Sequence, residues 1–451
     1  MEALYSLLVV AAAVLAAPWY LVRYGLSGLP PGYWRERFGR LPDGFEVGGG
    51  ARAIWVHAVS VGETLAVGGL VSEIRRRFPL RPVYLSHVTP AGRAAGEARI
   101  PGVAGRFFLP LDLKGPVRRV FDRLRPEMLI IAETELWPNL LSVARERGTR
   151  VLLVNARLSQ RSFRGYRRFG FFFRRVLGAV DWVFAQSEAD AQRFRELGVR
   201  RLSVAGNLKF DGRPPQLGEL PRLARRALEK SGRGPVLVAG STMAGEEPLV
   251  LRAWDRILER YPRALLILAP RHPQRFDEVA QILSAGRRRF VRRTSLDPAE
   301  LETQFAEAEI LLLNTIGELA GVFELADVAF VGGSLVPTGG HNPLEPAFWG
   351  KPVLFGPHMG NFRDIAEAFL AGGAAVQVQN ANELAARTLA FLGDARRCSA
   401  MGERAKRLVE SGSGATARIL DGLREWLEER SVAEAGVGAT VETASWKGVA
   451  R

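Results

Sequence analysis

The feature that most constrains this chain is an alternation that occurs twice: short β-branched, apolar runs separated by helical stretches, a break, and then the same alternation again. The first series runs through Ile54 to Ala58, Val83 to Ser86, Met128 to Ile131, Val151 to Val154 and Trp182 to Ala185. Apolar runs without polar alternation are the mark of strands buried on both faces, and strands that alternate with helices assemble into parallel sheets. Around Gly206 to Gly234 the pattern dissolves into Gly, Pro and charge, then restarts with Val236 to Ala239, Leu265 to Ala269, Ile310 to Leu313, Val328 to Val331 and Val353 to Phe355. The expected fold class is α/β, two Rossmann-like doubly wound domains facing a cleft, which suits a chain of 451 residues better than a single core. The boundaries read as 28–215 and 216–430, with helix dominant from Ala381 to Glu429 and a weakly periodic, flexible tail over 431–451. No internal repeat of solenoid length is present.

Residues 1–27 are expected to be a membrane anchor, because Ala3 to Val22 is uncharged and mostly apolar. As a helix it would span roughly 30 Å, one bilayer core. Trp19, Tyr20 and Tyr24 supply interfacial aromatics, and Arg23, Arg35, Arg37 and Arg40 place the following chain on the cytoplasmic face of the inner membrane. A cleaved signal peptide is the competing reading, opposed by a start that carries Glu2 and no basic residue. Pro18 allows a kink or a slanted entry instead of a full crossing. Tyr33 to Gly39 forms a basic-aromatic element near the headgroups. The net charge of +15 calls for an anionic partner: nucleic acid, acidic lipid or a phosphorylated substrate. Cys398 is the single cysteine, which rules out an intramolecular disulfide and a cysteine-rich zinc site.

In doubly wound folds ligands gather at the carboxyl ends of the strands, and five loops there carry reactive side chains. His57 to Glu63 leads into a helix near Thr64, so Ser60 and Glu63 serve either as a helix cap or, for Glu63, as a base near an acceptor hydroxyl. Glu133 and Glu135 follow the strand Met128 to Ile131; Glu135 has the alternative of capping a helix that starts near Pro138. Gly240-Ser241-Thr242 and Pro270-Arg271-His272 resemble a phosphate and nucleotide pocket, where Arg271 offers a two-pronged fork or is simply a surface arginine. In Gly332 to Pro346, Asn342 either caps a helix or bonds a phosphate, and Glu345 is placed to grip ribose hydroxyls. The five histidines lack metal-ligand spacing and no Asp-x-Asp pair ends a strand, so neither a metal nor another cofactor is expected.

Ser60-Val61-Gly62-Glu63, Glu133 through Pro138, Gly206-Asn207-Leu208-Lys209, Pro270-Arg271-His272 and Gly339 through Pro346, in this order, resemble the transferases of 3-deoxy-D-manno-octulosonic acid (Kdo), with their GT-B fold. The resemblance runs to about Glu429 and implies Glu63 as general base, with Glu133 as a second essential carboxylate. It implies CMP binding by Arg271, His272, Asn342 and Glu345, with Ser241 and Lys209 nearby. It gives the acceptor side to Ser60, Gly62, Arg161 and Arg164, the latter two in a segment where Arg157 to Arg175 alternate with aromatics or simply form a solvated face. Donor, acceptor and surroundings would then be CMP-Kdo, the lipid A precursor and membrane lipids, with no nucleic acid. Where the family usually shows Asp, this chain has Asn314, which removes a charge but leaves a helix-capping role open. Two other readings stay open: a GT-B transferase using a UDP-sugar, and a basic membrane- or nucleic-acid-binding protein without catalysis.

Overall fold

The computed structural model describes residues 5–7, 9–11, 15, 28–42, 44–45, 52–212 and 217–426. Most of the expected anchor over 1–27 and all of the tail over 431–451 lie outside the described residues. No helix among those described is long and apolar enough to cross a membrane. The chain divides into two compact units, 1–212 with 412–451, and 213–411.

Unit 1 contains a parallel sheet of β1 (Ala53–His57), β2 (Val83–His87), β3 (Gly105–Phe108), β4 (Pro126–Ala132), β5 (Arg150–Ala156), β6 (Trp182–Ala185) and β7 (Leu202–Val204). Its spatial order is β3-β2-β1-β4-β5-β6-β7, which reverses direction at β1 and β4. Successive side chains of a strand point to opposite faces. Accordingly Trp55, Leu129, Ile131, Leu153 and Val183 build one apolar layer, while Ile54, Val56, Met128, Ile130, Leu152 and Val154 build the other. Both layers are sealed by helices, which explains why the strands read as unbroken apolar runs.

The sequence reading runs the second lobe to residue 430, whereas the second compact unit ends at Ser411. The reason is packing: the helix over 415–426 sets Ile419, Leu420, Leu423 and Trp426 into the second layer of unit 1. Asp211 fixes its start. One oxygen accepts the N–H groups of Gly414 at 2.6 Å and Ala415 at 3.1 Å, and the other accepts that of Thr416. Asp211→Ala should therefore lower the stability of unit 1 by about 1–2 kcal/mol, the usual cost of losing a helix cap, read as a lower midpoint in urea unfolding.

Unit 2 holds β8 (Val236–Thr242), β9 (Leu265–Pro270), β10 (Phe290–Arg292), β11 (Ile310–Leu312), β12 (Val328–Val331), β13 (Val353–Phe355) and β14 (Ala375–Gln377). All pairings are parallel, in the order β10-β11-β9-β8-β12-β13-β14. The chain reverses direction at β8, so the loops after β8, β9 and β12 meet at a switch point of the kind where α/β sheets bind ligands.

Candidate active site

In unit 1 the loop after β1 ends in the helix Val61–Arg77, capped by Ser60. The Ser60 hydroxyl accepts the Glu63 N–H at 3.4 Å and donates to Glu63 Oε1 at 2.8 Å, while Glu63 Oε2 accepts the Val59 N–H at 2.7 Å. The two residues expected at the site thus form the helix cap between them. Each carboxylate oxygen spends one acceptor position and keeps another open, so Glu63 is oriented without being saturated. Burial pushes its carboxyl up to about 7, opposed by the Val59 and Ser60 bonds and assisted by Glu133 and Glu135. A methyl group built on Gly62 would meet nothing closer than the Ser60 hydroxyl at 3.9 Å, its chain neighbours aside.

Under this loop lie His57 and His87, both fully buried. His87 Nδ1 is 3.1 Å from the Ala58 carbonyl and 3.2 Å from the Thr64 hydroxyl. Burial lowers the two rings to about 3 and about 4, so they are neutral supports of the Glu63 loop at ordinary pH.

Glu133 follows β4 with its backbone in the left-handed region, φ +57°, held by its N–H to the Val154 carbonyl at 2.9 Å. A non-glycine residue there is strained, which is found where a side chain must be aimed. Its carboxylate lies 3.5 Å from Lys209 Nζ, a pairing within unit 1, whereas the other residues expected at the nucleotide lie in unit 2. The capping alternative for Glu135 does not hold: the helix Pro138–Glu146 has Trp137 at its cap and no side-chain cap bond. Burial, then Glu133, raises the Glu135 carboxyl. Glu135 in turn raises the Tyr166 hydroxyl, second to burial, which ties the carboxylates to the basic-aromatic segment. There Arg161 and Arg164 are exposed on the helix Gln160–Arg168, Phe163 is buried, Tyr166 stacks on Phe173 at 4.0 Å, and Phe169 and Phe171 are exposed.

In unit 2 Ser241 ends β8 with φ +58°, and Gly332 packs so closely that a Cβ would lie 2.6 Å from the Ser241 carbonyl oxygen. The Arg271 N–H donates to the Thr242 carbonyl at 3.0 Å, which joins the second expected loop to the first. Arg271 and His272 are exposed, and among the described residues no carboxylate pairs with the Arg271 guanidinium. Arg275, four residues on, is by contrast committed to Glu247 at 2.5 and 3.0 Å and to Glu278 at 3.1 Å. His341 is lowered to about 4 by burial and then by the charges of Arg271 and His272. Asn342 Oδ1 accepts the Leu344 N–H at 3.1 Å and its Nδ2 donates to Glu345 at 3.5 Å, while Pro343 and not Asn342 stands at the cap of the helix Leu344–Phe348. Gly340, at φ +72°, leaves no room for a Cβ, which would fall 2.4 Å from Met359 Sδ.

Two residues of this region escaped the sequence reading or take another role. Glu246, adjacent to Glu247 in an unremarkable acidic pair, is fully buried and accepts four backbone N–H groups. Burial raises its carboxyl and the four N–H bonds oppose the rise. Asn314 caps no helix; it accepts the Thr294 N–H at 3.1 Å and donates to the Thr294 hydroxyl at 2.8 Å, a donation that Asp could not make.

Comparison with known proteins bears on this arrangement. Residues 32–212 match the family described as 3-Deoxy-D-manno-octulosonic-acid transferase (kdotransferase). A 3-deoxy-D-manno-octulosonic acid transferase of Bordetella pertussis is 38% identical over 387 residues, 84% of this chain and 88% of the relative. The chain belongs to the 3-deoxy-D-manno-octulosonic acid transferase family. It is a Kdo glycosyltransferase, and a second relative of that description, from Haemophilus influenzae, is 32% identical over the same shares of both chains. Among solved structures, a glycosyltransferase from Rickettsia africae aligns over 84% of this chain and 99% of its own, with a TM-score of 0.51 at 12% identity. A UDP-GlcNAc 2-epimerase from Neisseria meningitidis, bound to UDP-GlcNAc, aligns over 83% and 100% with a TM-score of 0.53 at 11% identity. These likenesses establish the GT-B fold of the Kdo transferase and carry nothing about its substrates.

Proposed function

We propose that the chain transfers Kdo from CMP-Kdo to the lipid A precursor by inverting displacement, with Glu63 as general base. The observation that carries this reading is the Glu63 carboxylate itself: buried, oriented by Val59 and Ser60, held near neutral pKa and with an acceptor position left on each oxygen. A base poised near the working pH is efficient because it is both ionised and sufficiently basic. In the proposed step the acceptor hydroxyl proton passes to Glu63 as the oxygen bonds to the anomeric carbon of Kdo. The bond from that carbon to the phosphate oxygen breaks, and CMP departs with the electron pair. Arg271, with His272, Asn342, Glu345 and Ser241 around it, meets the nucleotide phosphate and ribose. Glu133, with Lys209 Nζ at 3.5 Å, is the second essential carboxylate, and Ser60, Gly62, Arg161 and Arg164 are assigned to the acceptor side.

The acceptor reading also accounts for the exposed apolar residues. Leu7, Val10 and Leu15 of the N-terminal segment, Trp34, Phe38, Phe169 and Phe171 all face solvent, interleaved with arginines that suit phosphorylated headgroups. The Tyr5 hydroxyl donates to Asp112 at 2.8 Å, and its ring lies 6.3 Å from that of Phe172. The start of the apolar segment therefore rests on unit 1, which favours a slanted seat in the cytoplasmic face of the inner membrane over a full crossing.

The pH profile tests the base. Only ionised Glu63 takes a proton, so kcat/KM for the acceptor should be half-maximal near pH 7 and fall about tenfold per unit below it. A profile that stays flat down to pH 5 would remove Glu63 from that role. Donor identity is read separately: CMP should raise the unfolding temperature and UDP should leave it unchanged.

A further inference from the structure

Glu246 is a fully buried carboxylate for which the transfer step gives no use. Its Oε2 accepts the N–H groups of Met243 at 3.2 Å and Gly333 at 2.6 Å; its Oε1 accepts those of Ser334 at 3.1 Å and Leu335 at 2.9 Å. Two bonds per oxygen saturate a carboxylate. Three successive amides wrapped round an anion are the arrangement that commonly binds phosphate, and here the protein's own side chain fills it. The glycine-rich turn after β12 is thus closed to the donor phosphate through these amides.

What the carboxylate joins is the turn after β8 and the turn after β12. Gly332 presses on the Ser241 carbonyl, and the Arg271 N–H bonds to Thr242. The His341 ring lies on Gly333, where a Cβ would be 2.9 Å from its Cδ2. The Ser334 hydroxyl donates to the Val331 carbonyl and accepts the Gly356 N–H at 2.8 Å, which extends the same lock to the turn after β13. We infer that Glu246 is a positioning residue for the donor, locking the turns after β8 and β12 together and so setting where Ser241, Arg271 and His341 meet the nucleotide. This rests on the donor reading above.

A carboxylate is required because all four groups donate. In Glu246→Gln one oxygen becomes an NH2 group, and whichever way the amide turns, two N–H groups lose their acceptor and face another donor. The expected result is a donor KM raised about tenfold or more, since displacing a binding group by about 1 Å is enough for that. The acceptor KM should not change, and CMP should bind more weakly by the same factor in calorimetric titration. Glu246→Asp keeps both oxygens and should recover part of the loss; it also serves if the Gln variant does not fold. Asp327→Ala is the control, because Asp327 holds the Val236 N–H at 2.7 Å at the far end of β8. It should lower thermal stability and leave the donor KM alone. Wild-type donor KM and CMP affinity in both Glu246 variants, with only stability reduced, overturn the proposal. Arg271→Ala is run beside them: an unchanged donor KM in that variant as well rejects the donor reading itself.

Discussion

Glu63→Gln should lower kcat by about 10³-fold, within the range that a positioned general base contributes, with CMP affinity unchanged. The substitution is a clean one because glutamine can keep the local bonds. Its carbonyl oxygen can accept the Val59 N–H, and its NH2 group can donate to the Ser60 hydroxyl. The loss would then be chemical and not conformational. Stability provides the control. Burial raises the folded-state pKa of Glu63 to about 7, so whatever stability its protonation contributes is present at low pH and lost as pH rises through that value. Gln cannot ionise, and the variant should melt no lower than wild type at pH 8. A variant that is both inactive and less stable at that pH would point to a broken loop instead.

Arg271→Ala should raise the donor KM by roughly ten- to a hundredfold, the worth of a charge-assisted bond to phosphate of about 1.5–3 kcal/mol. Steady-state kinetics with donor varied at saturating acceptor measures it. Arg271→Lys should fall between the two, since a point charge replaces a planar fork. The neighbouring arginine is the contrast that makes this informative: Arg275 is committed to the fully buried Glu247 and to Glu278, whereas no carboxylate pairs with Arg271 among the described residues. The two arginines look alike in the sequence, and only the fold separates the ion-paired one from the exposed one.

The interior strands were legible from sequence because a strand covered on both faces must be apolar along its whole length. The strands that the pattern missed are β3, β7, β10 and β14, and each stands at the edge of its sheet. Edge strands are covered less completely: β10 is half-buried throughout, and β7 is half-buried or exposed, so neither needs a continuous apolar run. The site followed the same logic. Glu63, Glu133, Arg271 and Asn342 stood out as polar side chains in the segments that follow strands, and the structure places each in such a segment or in the helix that it leads into. Glu246 and Asp211 did not stand out, because a carboxylate that accepts backbone N–H groups from residues far along the chain has no local signature. The pairing of Lys209 with Glu133 was not legible, because it brings together two motifs that are far apart in the sequence.

The most direct test of the central claim is mass spectrometry of the lipid after the full chain has been incubated with CMP-Kdo and the lipid A precursor. The account predicts a mass increase of one or more Kdo units, dependent on CMP-Kdo and lost in Glu63→Gln. An unmodified lipid with CMP-Kdo, together with sugar addition from a UDP-sugar, would contradict it.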